Sequence, residues 1–208
     1  METTQTAGEI VGKGAKLVNG VGIDVSKWQG QVDWPVAAKH TDFVIIRATN
    51  GLKSVDPFFL LNAEGAISQN VPFGAYHFAS FTAPVKQQAD RFLSIVQKAS
   101  QKPSMPLVLD VETNDKTIPI SPAQLEDLCL EFTSYISQSG YEPMLYMSPG
   151  FSWFFPKSHK LGNIKIWLAD YSGKLNPANG WPTPFMHQYT DKGQIPGIKT
   201  TVDLNKIL

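Results

Sequence analysis

The chain has 208 residues, long enough for one large domain with a substantial buried core. Lys and Arg together number 18, as do Asp and Glu, so no net field draws the chain to nucleic acid or to an anionic membrane. A single cysteine, Cys129, excludes an internal disulfide framework, and no apolar run is long enough to insert into and span a bilayer.

The first 20 residues, METTQTAGEIVGKGAKLVNG, are polar and rich in Gly and Thr. They lack the charged-then-apolar layout of a signal peptide and read as a loosely held extension. The domain is expected over 21–208. Short apolar runs follow in order: VGIDVS (21–26), FVIIRAT (43–49), PFGAYHF (72–78), LVLDVE (107–112), PMLYMS (143–148), IKIWLAD (164–170), FMHQYT (185–190) and TVDL (201–204). Each is strand-length and rich in β-branched or aromatic residues.

Helical patterns lie between several of them. Asp56 and Pro57 predict an N-cap and first-turn proline for a helix running to about Gln69. From 83 to 100, Val85, Ala89, Phe92, Leu93 and Val96 fall on one stripe. From 121 to 140, Ser121 and Gln124 predict a capping box, Leu125, Leu128, Phe132 and Ile136 repeat at helical spacing, and Gly140 ends the run. Cys129 falls in this pattern as a buried structural thiol. Past Tyr146 the helical periodicity fades. Strand–helix alternation over the first two thirds implies a parallel sheet with crossover helices. The fold class is therefore α/β: a single irregular, TIM-like β/α barrel of about eight strands with fewer helices than strands.

In such barrels the carboxyl ends of the strands carry the site. The run at 107–112 ends in Asp110 and Glu112, which as i and i+2 project to one face about 6.5–7 Å apart at Cα. Val111 points the other way. Asp24 lies toward the end of the first strand and Asp203 in the last. First and last strands are neighbours in a closed barrel, so these four acids converge at one mouth. Like charges held together raise the proton affinity of at least one carboxyl, which is what glycoside hydrolysis requires of its acid. No His-X-X-X-His, His-Glu-X-X-His or paired cysteine suggests a metal, although acids alone can hold a hard cation. No Gly-X-Ser-X-Gly elbow or phosphate-binding glycine loop is present.

GIDVSKWQGQVDW, FVIIRATNG, GAYHF, LVLDVE, IWLADY, HQYT and GIKTTVDLN, in this order and spacing, resemble glycoside hydrolase family 25, the Chalaropsis-type lysozymes common as phage endolysins and bacterial autolysins. The resemblance runs from about Val21 to the C-terminus. It implies a flattened barrel and an N-acetylmuramidase that cuts the β-1,4 bond after N-acetylmuramic acid in peptidoglycan, without cofactor or metal. At matching positions it implies Glu112 as general acid, Asp110 as the residue that orients the substrate acetamido group, and Asp24 and Asp203 as flanking acids that bind sugar. Tyr76, Trp167, Tyr146, Tyr171 and Tyr189 lie in its strand-end motifs, where rings stack on sugars and hydroxyls bond them.

Retention of configuration is expected, with the acetamido group as internal nucleophile. An inverting route with Asp24 or Asp203 as base for water stays open, as does a non-catalytic glycan-binding barrel. His77, Trp28, Trp153 and Trp181 are assigned to core or rim, Asp115 and Asp170 to loop or capping roles, and Arg47 is left open between the site and a pairing with one of the acids. The expected partners are glycan strands. The expected state is a monomer made in the cytoplasm and brought to the cell wall by a holin or a secretion apparatus.

Overall fold

A computed structural model describes residues 20–112, 119–175 and 181–208. All eight expected strands form. They are β1 (Val21–Val25), β2 (Phe43–Asn50), β4 (Phe73–Phe78), β5 (Leu107–Asp110), β6 (Pro143–Met147), β7 (Lys165–Ala169), β8 (Met186–Gly193) and β9 (Val202–Ile207). A two-residue strand, β3 (Ser54–Val55), folds back on β2. Apart from the antiparallel β3, neighbours from β1 through β8 pair parallel, while β9 runs antiparallel between β8 and β1. The β1–β2 pairing closes the ring.

Period-two alternation sorts the side chains into two cores. Phe43, Ile45, Val108, Met144, Trp167 and Met186 fill the barrel interior, with Met105 from the loop before β5. Their sequence neighbours Val44, Ile46, Leu107, Leu109, Leu145 and Leu168 point outward and pack in the outer core with the helices. Each fully buried large side chain contributes about 1.5–3 kcal/mol. Gly22 faces the interior beside Phe43, and a Cβ there would land inside that ring.

Among the described residues there are five helices: α1 (Trp34–Ala37), α2 (Phe59–Ser68), α3 (Val85–Val96), α4 (Pro122–Gln138) and α5 (Pro149–Ser152). In α3, Ala89, Phe92, Leu93 and Val96 are buried as the stripe predicts. In α4 the capping box forms, with Gln124 N–H donating to Ser121 Oγ at 3.3 Å and Ser121 N–H to Gln124 Oε1 at 2.9 Å. The chain leaves α4 through Gly140 at φ 78°. The start of α2 differs from expectation. The helix opens at Phe59 with Phe58 as its N-cap; Asp56 stands before it, its Oδ1 accepting from Phe58 N–H at 3.0 Å while Oδ2 pairs with Arg47.

Candidate active site

The strand alternation that builds the cores also builds the site. On β5, Val108 faces inward and Leu109 outward, so Asp110 faces in, Val111 packs outward, and Glu112 continues the inward set just past the strand. On β1, Asp24 lies between the outward Ile23 and Val25. β9 runs the other way, which places Asp203, near its start, at the same mouth as the strand ends, directly paired with Asp24. The four acids line a hollow of about 380 Å³ with Trp28, Arg47, Tyr76 and Phe78. A deeper recess of about 70 Å³ is lined by the same four acids with Tyr76, Tyr146 and Trp167.

Asp24 Oδ1 accepts from Gln188 Nε2 at 2.9 Å and from Asn205 Nδ2 at 2.8 Å. Burial and then the neighbouring Asp203 push its carboxyl well above the usual range, while the two amide donors oppose the shift. Burial also raises Asp203, and a hydrogen bond from Asp24 pulls it back down. Asp110 is buried, and its Oδ1 has no hydrogen-bond partner among the described residues. Burial, then the charges of Glu112 and Asp24, raise it well above the usual range; Arg47 opposes. Glu112 is raised by burial and then by Asp203. The site therefore combines a carboxyl of raised proton affinity at an open hollow with a buried carboxyl oxygen that lacks a donor.

The aromatics divide. Tyr76 lies in the recess, its hydroxyl kept protonated by burial and by the adjacent acids. Tyr146 donates to Gln188 Oε1 at 2.9 Å, and Tyr171, half exposed at the rim, donates to the same oxygen at 2.6 Å. Trp167 forms the floor rather than an open stacking face. It is 2% exposed, edge-on to Tyr146 at 4.6 Å, and donates its indole N–H to Asn205 Oδ1 at 2.8 Å. Tyr189 is not brought to the hollow. It lines neither the hollow nor the recess, and its ring lies beside that of His187, at 6.1 Å between centroids.

Trp28 is a rim residue, 70% exposed, with the Lys27 ammonium over its ring at 4.8 Å. Arg47 pairs with Asp56 at 2.8 Å and not with any of the four acids. His77 is buried beneath α3 and α4, bonded to Thr49 and Gln88. Trp181 is buried and Trp153 exposed. Asp170 caps a turn through Ser172 N–H, and Asp115 lies outside the described residues. Cys129 is buried, its thiol pushed up by burial.

Two residues that join the site carry no charge and escaped the sequence reading, Gln188 and Asn205. The available signal was parity: Asn205 is two residues from Asp203 on the same strand, and Gln188 two residues from the inward Met186.

The model for glycosyl hydrolases family 25 matches residues 23–198. The YegX protein of Escherichia coli (strain K12) is 32% identical over 191 residues, covering 88% of this chain and 68% of that protein. Lysozyme M1 of Streptomyces globisporus is 30% identical over 198 residues, covering 89% of this chain and 66% of that protein. Among solved structures, a family 25 glycosyl hydrolase from Bacillus anthracis superposes with a TM-score of 0.80 at 27% identity, covering 90% of this chain and 88% of that one.

Proposed function

Because the chain belongs to the glycosyl hydrolases of family 25, we propose that it cleaves the β-1,4 bond between N-acetylmuramic acid and N-acetylglucosamine in peptidoglycan, with Glu112 as general acid and Asp110 guiding the substrate acetamido group. The observation that carries the reading is the pairing of Glu112, at the open hollow with its proton affinity raised by burial and Asp203, with the donor-less Oδ1 of Asp110. An acetamido N–H supplies the missing donor.

In the first step Glu112 gives its proton to the glycosidic oxygen as the C1–O bond breaks. The acetamido carbonyl oxygen forms a bond to C1 from the opposite face, and Asp110 stabilises the N–H that gains positive character. In the second step the Glu112 carboxylate takes a proton from water. That water attacks C1 and displaces the acetamido oxygen, so configuration is retained. The i, i+2 placement of the two acids on one inward face supports this route, since it leaves the opposite face of the sugar to its own acetamido group. The flanking Asp24 and Asp203 and the hydroxyls of Tyr76, Tyr146 and Tyr171 shape the sugar hollow.

Peptidoglycan lies outside the inner membrane, so this reading places the protein's action at the cell wall, with a holin-type pore or a secretion apparatus as the proposed route. No described helix is long and apolar enough to cross a membrane. The chain acts as a monomer in this reading.

Glu112→Gln tests the assignment: lysis of purified walls falls by at least ~10² with the melting temperature kept. Full lysis by that variant would remove Glu112 from its role. Proton NMR of the first-formed anomer tests the route. The β anomer is expected; the α anomer would move the base role to Asp24 or Asp203 acting on water.

A further inference from the structure

The hydrogen bonds beneath the acids have a direction that can be read chemically. The indole N–H of Trp167 can only donate, so the oxygen of the Asn205 amide must face it, at 2.8 Å. This turns Asn205 Nδ2 toward Asp24 Oδ1, at 2.8 Å. Gln188 is oriented the same way. Two tyrosine hydroxyls donate to its Oε1, and its Nε2 donates to the same Asp24 oxygen at 2.9 Å. Asp24 Oδ1 therefore receives two N–H donors and cannot carry a proton without colliding with them. Asn205, Gln188 and Trp167 are each at most 2% exposed, so water has no room to rearrange the pattern. Across the β1–β9 pairing Asp24 and Asp203 are direct partners lining one recess, and two carboxyls held this close favour a single proton between them.

We propose that Asp24 serves as a neutral hydrogen-bond donor to Asp203, its proton directed onto Oδ2 by the amides of Gln188 and Asn205, so that the pair presents one negative charge beside Glu112. Asp24 is then a positioning residue rather than a base or a second anion. The charged and titratable groups around it favour this state. Asp203 faces it from β9, Asp110 and Glu112 from β5, Tyr76 from β4, Tyr146 from β6 and Tyr171 from the turn after β7. Arg47 from β2 is engaged by Asp56. A second charge on Asp24 would face acids and phenols at close range. With its single charge, Asp203 raises the proton affinity of Glu112. This last consequence rests on Glu112 being the general acid; the proton placement does not.

An asparagine is the isostere of a carboxyl protonated on one oxygen. At position 24 its Oδ1 would accept from both amides while its Nδ2 donates to Asp203. Three measurements on the full chain test the proposal. Carbon-13 NMR of aspartate-labelled wild type should show the Asp24 carboxyl protonated through pH 7 and Asp203 ionised; an Asp24 resonance that titrates below pH 5 overturns it. Asp24→Ala should lower kcat/KM by ~10²-fold, and Asp24→Asn should recover ~10-fold or more of that loss. The alkaline limb of the pH–rate profile should stay in place in Asp24→Asn, because the pair's charge is unchanged. An asparagine variant no better than alanine, or a limb moved to lower pH, contradicts the assignment. If Glu112→Gln lyses walls while the Asp24 resonance behaves as expected, the general-acid reading fails and the proton placement stands.

Discussion

Replacing Asp56 with alanine removes a joint that holds the site wall in place. Asp56 Oδ2 accepts from Arg47 Nε at 2.8 Å and from Lys27 N–H at 2.9 Å, and Oδ1 accepts from Phe58 N–H at 3.0 Å. The two charged side chains are 11% and 1% exposed, so the variant leaves a guanidinium largely out of water without its partner. Breaking a buried pair from one side costs about 3–5 kcal/mol. Arg47 has a second acid within electrostatic reach, Asp110, which offsets part of this and places the expected loss near the lower bound, ~3 kcal/mol. For a chain of this length that is a fall of about 6–12 °C in melting temperature. The same move would occupy the Asp110 oxygen meant for the acetamido group, and it would release the Lys27–Trp28 loop from β2. Activity should therefore fall beyond what unfolding explains, with KM raised. Differential scanning calorimetry and wall-lysis kinetics on Asp56→Ala, Arg47→Met and the double variant measure both effects. The double variant should regain most of the stability, since no charge is left unpaired. A melting shift under ~2 °C, or additive losses in the double variant, would refute this account of the joint.

Tyr146→Phe removes one of the two hydroxyls on Gln188 Oε1, so urea titration should read a loss of about 0.5–1.5 kcal/mol; a larger loss would mean the ring, not the hydroxyl, is displaced. Asp110→Asn should abolish lysis yet stabilise the fold at pH 7. A carboxyl raised in the folded state contributes stability at low pH that is lost as pH rises from about 3.9 through the raised value. The variant's advantage should thus vanish below about pH 4, and a variant less stable than wild type at pH 7 would contradict this. His77 runs the opposite way. Burial lowers it from 6.5 to about 4, so the unfolded chain takes up a proton first as pH falls through that window. The wild type then loses up to ~3 kcal/mol relative to His77→Gln between pH 7 and pH 4; a stability difference that stays constant with pH would show that His77 is not the titrating group.

The strands were legible because each is a short β-branched or aromatic run, and the inward acids followed from parity once the strands were placed. The direction of β9 was not legible, because alternation carries no polarity; it emerges only from the β8–β9 pairing. Helices α1 and α5 are single turns of four residues, too short for a periodic pattern. Asp56 fits a helix start by local pattern and does bond Phe58 N–H, but its pairing with Arg47, nine residues earlier, has no local sequence signature. Tyr189 lies in a site motif by sequence, yet its ring sits beside His187, where the β8–β9 register shifts between Gln188 and Thr190. Gln188 and Asn205 show the larger gap: amides give no charge signature, yet here they orient the proton of an acid.

Mass spectrometry of fragments released from purified peptidoglycan, wild type beside Glu112→Gln, tests the central claim most directly. The wild type should release disaccharide-containing muropeptides ending in a reducing N-acetylmuramic acid, and the variant almost none. Free stem peptides, or reducing ends on N-acetylglucosamine, would contradict it.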